Sequence, residues 1–392
     1  MNSLPVRILA AVLTFAIGVG VDSLCFNVLR STPMMCPLPA QPRRAARLEL
    51  VFVLDTTGSM GGLLDAAKQR IWGIVNNVMR EQHASVRVGL VAYRDHGDEY
   101  VTQVLPLTED LDKVYARLME YEAAGGGDGP EDVRSALTSG VLFAGWSESA
   151  PDLSQIVFLV GDAPPHDDYY DETDTLVTAS NAVQRGIMVN TIQCGFSGET
   201  ERAWKMIADS GHGRYFAIAA DGGVQAMTSP YDDQLADLAT KLGATFTPYG
   251  FGAGADGDEK RAEAVMVTET MEARVAASAP VVAKAERAIN KAISADAYIG
   301  DLLQQIENGS VSLDSIDTPQ LPKDLRGLAP YDRRVEIERR LANRRELRHQ
   351  ILLLSKQRDS FLQAELKKRG DDGFDAVVSK ALLEQVSRKQ LK

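Results

Sequence analysis

Cysteine is scarce in this chain. Cys25, Cys36 and Cys194 are the only three in 392 residues. That is too few for a disulfide scaffold, and no two have the CxxC spacing that would suggest zinc. There is no HExxH pair and no GxxxxGK[ST] loop, so two common metal-hydrolase and nucleotide signatures are absent. Positive charge is also short over much of the chain. Val51 to Ala220 holds 25 acids and 12 bases, against 29 and 30 elsewhere, so this stretch carries the whole acidic excess of the net −12. An acidic stretch argues against nucleic acid as its partner, because phosphate binding needs a basic face. It suits cation binding or plain solubility.

Long apolar runs are lacking too. The longest uncharged one at the amino end is Ile8 to Val21, 14 residues, short of the ~20 a spanning helix needs. That is the length of a signal h-region, so residues 1–30 are expected to be an export signal, uncleaved or atypically cleaved, or a membrane anchor. Neither Cys25 nor Cys36 follows a lipobox, and export would put both in an oxidising compartment where they can pair. Arg43, Arg44 and Arg47 complicate orientation, since bases tend to stay cytoplasmic. Residues 31–47 hold four prolines between Ser31 and Pro42 and no periodicity, which reads as a linker.

The remaining composition, 45% hydrophobic and 24% charged, is that of a globular protein of one large domain with an appendage, or of two domains. Residues 48–246 alternate strand and helix. Strands are expected at Val51–Leu54, Val86–Tyr93, Tyr100–Leu105, Ile156–Val160, Ile187–Gln193 and Gly213–Ile218. Helices are expected at Leu63–Met79, Leu111–Tyr121, Glu131–Phe143, Thr173–Arg185, Glu199–Asp209 and Leu235–Leu242. The short turn Arg94–Glu99 makes its two strands an antiparallel hairpin. The fold class is therefore α/β, a doubly wound, mostly parallel sheet with one antiparallel edge strand. In residues 257–392 strand signals vanish. One helical stretch is marked by Val282, Ala285, Ile289, Ile293, Leu302, Leu303 and Ile306. Pro319, Pro322 and Pro330 punctuate a loop. A long helix, Arg333–Arg369, carries an a/d-like stripe of Leu347, Ile351, Leu354 and Phe361 broken by Arg358, which makes the region partly coiled-coil-like and a possible oligomerisation device. A final helix carries Phe374, Val377, Val378, Ala381, Leu382 and Val386.

The stretch that organises the chain is VFVLDTTGSMG, Val51 to Gly61. A buried strand stops at Asp55, and Thr57 and Ser59 follow at i+2 and i+4 before a helix. In open α/β sheets that edge is where ligands bind. A carboxylate with hydroxyls suits a hard divalent cation; Asp55 and Ser59 equally suit a helix cap.

The stretch resembles the first metal-binding loop of von Willebrand factor type A domains, Asp-x-Ser-x-Ser, with Thr57 at the middle position. GGGDGPED, Gly125 to Asp132, looks like the second ligand loop of a bacterial-type, exported subgroup, and FLVGDAPPH, Phe158 to His166, like the third. The three stand in family order, and the likeness covers about Leu48 to Gly250. It implies a metal-ion-dependent adhesion site for Mg²⁺ or Mn²⁺, with Asp55, Thr57 and Ser59 from the first loop and Asp162 from the third. The family's second-loop Thr has no counterpart between Ala123 and Val133, so Asp128 is the expected substitute. Oxygen donors of this kind fit Mg²⁺ or Mn²⁺ better than Zn²⁺.

The resemblance implies a non-enzymatic, membrane-tethered module that captures an Asp or Glu of a protein or peptide partner through the cation. Two other readings stay open. One is a hydrolase using Ser59 or a metal-bound water with His96 or His166 as base, although Gly58-Ser59-Met60-Gly61 is not a nucleophile elbow. The other is a structural protein with a degenerate site. His96, His166 and the acids of both their loops are expected at the same sheet edge, as a polar rim or a second ion site.

Overall fold

The computed structural model describes residues 47–61, 64, 73, 75–76, 79–80, 85–127, 129–218, 227–294, 297–369, 382 and 385. The expected leader, the linker up to residue 46, Asp128 and most of the last expected helix lie outside them.

Six strands form one sheet: β1 (Arg47–Asp55), β2 (Ser85–Tyr93), β3 (Thr102–Thr108), β4 (Leu153–Gly161), β5 (Ile187–Cys194) and β6 (His212–Ile218). The order is β3-β2-β1-β4-β5-β6. All neighbours are parallel except β2 and β3, so the expected antiparallel edge strand is β3. β1 is central, and every residue from Leu48 to Asp55 is buried. Its residues alternate between two cores. Leu48, Leu50, Phe52 and Leu54 face one layer, and Val51 and Val53 face the other. That two-sided burial is why the strand reads as an unbroken apolar run.

Helix α1 (Leu111–Glu120) covers the first layer through Leu111, Val114, Tyr115 and Leu118. Helices α2 (Val133–Leu142), α3 (Thr175–Gln184) and α4 (Gly198–Ser210) cover the second through Val133, Leu137, Ala179 and Trp204. Residues 121–132 therefore cross from one face to the other over the sheet edge. β1 pairs Asp55 with Tyr93 and Leu54 with Val160, so β1, β2 and β4 end together. This register sets Asp55, the turn after Tyr93, the 121–132 crossing and Asp162 side by side.

Helix α5 (Asp232–Gly243) packs away from the sheet. Leu235, Leu238 and Leu242 join Ala285, Ile289, Leu347 and Ile351 in a third core. Further helices are α6 (Gly254–Ser278), α7 (Val281–Ile293), α8 (Leu302–Glu307) and α9 (Pro330–Arg369), with a single helical turn at Lys323–Arg326 before the last. The single stretch expected from Val282 to Ile306 is thus two helices. α7 ends in extended backbone at Ser294, and a new cap forms where Asp301 accepts the Gln304 N–H at 2.8 Å. α6 and α7 reach back to the sheet domain: Val275, Ala279 and Ala283 complete the first core. Arg287 pairs with Asp112 at 2.6 and 2.7 Å and with Glu272 at 2.7 and 2.9 Å. Against its own burial, Asp112 is held well below the usual carboxylate range by Lys291 and Arg287.

The stripe on α9 faces its own chain, with Leu347 and Ile351 in the core shared with α5 and α7. The break at Arg358 has a physical reason: its guanidinium is buried and donates to Asp232 at 2.7 Å and Glu286 at 2.6 Å. Among the described residues no helix is long and apolar enough to cross a membrane.

Candidate metal centre

Asp55 is fully buried where β1 ends. Its Oδ1 accepts both the Thr57 N–H at 2.8 Å and the Thr57 hydroxyl at 2.7 Å. Ser59 follows on a short 3₁₀ turn, Gly58–Met60, with its Oγ 3.3 Å from the Thr57 hydroxyl. Thr57 stands at the cap position, yet its side chain caps nothing and is turned to Asp55 instead. The local turn therefore uses one Asp55 oxygen and leaves Oδ2 with no hydrogen-bond partner.

The crossing segment is stitched to this loop. Ala124 N–H donates to the Thr56 carbonyl at 3.0 Å, and Gly58 N–H to the Gly125 carbonyl at 3.1 Å. Gly126 has φ 76°, and a Cβ there would stand 3.1 Å from Glu131 Oε1 and 3.4 Å from Thr57 Cβ. A glycine at this point lets the backbone turn and lets Glu131 approach Thr57. Glu131 is buried, and its backbone is tied to the third loop: its N–H donates to Pro164 O at 3.0 Å, and its carbonyl accepts from His166 N–H at 3.3 Å.

Asp162 begins the third loop one residue beyond β4. Its backbone N–H lies near enough to the Asp55 carboxylate to favour the charged form, and its own Oδ1 is buried without a partner. Gly161 permits this approach, since a Cβ there would meet Tyr93 Oη at 2.4 Å and Asp55 Oδ2 at 3.1 Å. Three carboxylates, Asp55, Glu131 and Asp162, thus converge with the hydroxyls of Thr57 and Ser59. One oxygen of each acid is buried and unbonded. No Lys or Arg pairs with any of the three among the described residues. Burial, and then the neighbouring acids, pushes Glu131 up to about 8; burial foremost pushes Asp55 up to about 7. Uncompensated buried carboxylates are costly, and a cation relieves that cost.

The structure brings together Asp55, Thr57, Ser59 and Asp162 of the residues proposed from sequence. Asp128 lies outside the described residues. The second-loop residue that reaches the centre among those described is Glu131, which sequence reasoning passed over as the start of a helix. The available signal was the ED pair before α2. Asp132 is the residue that caps the helix, accepting Ser135 N–H at 2.8 Å, and that leaves Glu131 free to turn inward. Among the described residues no hydrogen bond links either histidine to Ser59. His96 Nε2 sits 3.0 Å from Glu172, and His166 Nδ1 sits 2.9 Å from Asp168.

A family model described as the von Willebrand factor A domain matches residues 49–230. The von Willebrand factor A domain-containing protein 7 of Rattus norvegicus is 33% identical over 195 residues, 50% of this chain and 20% of that protein. Its Homo sapiens namesake is 31% identical over the same length and shares. Among solved structures, the conserved hypothetical protein BatB from Bacteroides thetaiotaomicron has a TM-score of 0.33 at 16% identity, covering 44% of this chain and 90% of that chain. Residues 49–230 of the chain match a von Willebrand factor A domain. It spans about one fifth of the length of the curated relatives it matches. Domains of this family are mostly non-catalytic and commonly bind proteins.

Proposed function

We propose that this domain is a metal-dependent protein-binding module whose divalent cation, Mg²⁺ or Mn²⁺, is held by Thr57, Ser59, Asp55, Glu131 and Asp162. The observation that carries it is a group of three neighbouring carboxylates around Thr57, each with one buried oxygen that has no hydrogen-bond partner. All five donors are oxygens, the chemistry of a hard cation. Bound there, the ion supplies positive charge and a coordination position that a partner's Asp or Glu can complete. The chain's own contribution is to hold the donors: Thr57 fixes Asp55 through its N–H and hydroxyl, and the glycines let the three loops meet.

Against a hydrolase reading, no hydrogen bond joins Ser59 to His96 or His166 among the described residues, and the Ser59 hydroxyl meets Thr57 instead. The proposal includes export and tethering through the apolar run 8–21, which rests on the sequence alone.

Isothermal titration of Mg²⁺ and Mn²⁺ into the chelator-stripped chain tests the centre, with Asp162→Asn as control. Saturable binding lost in the variant supports it. Equal heats in both, or none, would leave the acids as a structural cluster and end the metal-dependent reading. With Mg²⁺ saturating, Asp- and Glu-bearing peptides should be retained over their Asn and Gln counterparts, and chelator should release them.

A further inference from the structure

We propose that His96, Asp132 and Glu172 form a second cation site, suited to a transition-metal ion such as Zn²⁺ or Co²⁺ and separate from the oxygen-only centre. The three residues come from three segments: the β2–β3 turn, the cap of α2 and the loop before α3. His96 Nε2 lies 3.0 Å from Glu172 Oε1 and 3.2 Å from Asp132 Oδ2. One donor atom from each residue falls within 4.8 Å of the others. Metal–ligand bonds of about 2.0–2.2 Å place tetrahedral ligands about 3.3–3.6 Å apart. The two separations at His96 are close to that span, so small shifts would seat one ion among the three.

A second observation points the same way. Asp132 is completely buried, and its Oδ2, aimed at the other two side chains, has no hydrogen-bond partner. Glu172 Oε2 is likewise buried and unbonded. No Lys or Arg pairs with either acid among the described residues.

The surroundings orient the donors, as supporting shells do around bound metals. Ser135 N–H holds Asp132 Oδ1 at 2.8 Å, and the Ser135 hydroxyl donates to Glu172 Oε1 at 2.8 Å. The His96 ring stacks on Tyr169 with centroids 4.1 Å apart and planes 10° from parallel. Tyr169 is itself pinned, stacked on its other partner His166 at 4.1 Å and donating its hydroxyl to Asp95 at 2.7 Å. The His96 side chain is 42% exposed, which leaves an entry path and an open position. An imidazole nitrogen with carboxylates selects a borderline metal over Mg²⁺. Adjacent residues thus serve different sites: Glu131 turns to Thr57, and Asp132 to His96. The rival is a proton, with an imidazolium bridging the two acids.

Titrating Co²⁺ into the full chain in excess Mg²⁺, followed by visible absorption and calorimetry, separates the two. One Co²⁺ per chain with d–d bands is expected. His96→Ala and Glu172→Gln should each weaken uptake by at least roughly ten-fold, with the His96→Ala spectrum altered. Asp162→Asn should leave uptake unchanged. The thermal melt of His96→Ala should match the parent in chelator, given the exposure of His96. No Co²⁺ uptake, or uptake indifferent to His96→Ala and lost in Asp162→Asn, overturns the proposal and leaves His96 as a proton-borne bridge.

Discussion

Thr57 donates twice to a single oxygen of Asp55, through its N–H at 2.8 Å and its hydroxyl at 2.7 Å. The other Asp55 oxygen is left bare beside Asp162 and Glu131. Removing the Thr57 hydroxyl should therefore act on two levels. Thr57→Val is expected to weaken Mg²⁺ binding by roughly 10–100-fold, as lost supporting and ligating groups do. It should also destabilise the metal-free chain by about 1–3 kcal/mol through the lost buried hydrogen bond. Calorimetric titration and urea unfolding read the two separately. Unchanged Mg²⁺ affinity would remove Thr57 from the centre.

Glu131 adds a carboxylate where a neutral hydroxyl would leave the cation more positive. Glu131→Gln keeps an oxygen donor and removes one charge. Mg²⁺ affinity should fall, while affinity of the Mg²⁺-saturated domain for an acidic peptide should rise several-fold, since like charge at the open position is relieved. Peptide binding that falls in parallel with metal binding would mean that Glu131 does not oppose the partner's acid.

The raised Asp55 and Glu131 set a pH dependence with a definite sign. Both bind protons more tightly folded than unfolded, where carboxylates titrate near 4. Their contribution to stability is therefore greatest below about pH 4 and is lost as pH rises through about 7 and 8. In chelator, melting temperature should drop between pH 5.5 and 8.5. Saturating Mg²⁺ should flatten that drop, and Mg²⁺ binding at pH 7 should release protons, visible as heats that vary with buffer ionisation enthalpy. A chelated chain that gains stability over this range would show that the two acids are not protonated in the fold.

Gly161→Ala tests how tightly the third loop is set. The new Cβ would stand 2.4 Å from Tyr93 Oη, and overpacking of that kind costs about 1–3 kcal/mol. Tyr93→Phe removes an oxygen that has no partner of its own, so the double variant should recover part of the loss. A double-mutant cycle with no coupling would show that the loop yields elsewhere.

Arg358 ties α9 to α5 and α7 through Asp232 and Glu286. Arg358→Leu leaves two buried acids unpaired and should cost about 3–5 kcal/mol. Were the stripe on α9 an intermolecular seam, the same change would complete it and strengthen self-association instead. Sedimentation alongside urea unfolding distinguishes the outcomes, and a stabilised oligomer would contradict the packing seen here.

Much of the molecule was legible along the chain. The alternation of apolar runs with 3.6-period segments carries the doubly wound sheet, because β1 and β4 are buried on both faces and the helices on one. Asp55, Thr57, Ser59 and Asp162 were legible because each lies within a few residues of a strand end, where local spacing already says which edge it occupies. What tertiary structure alone decided is the division of roles between Glu131 and Asp132. Glu131 and Asp132 are neighbours with the same chemistry, and only the crossing of their segment between the two faces sends one inward and makes the other a cap. The same holds for Arg358, a defect in a stripe until Asp232 and Glu286, distant in sequence, arrive to pair with it. Pattern encodes which face a residue takes; which partner it meets there depends on contacts between segments that no local spacing contains.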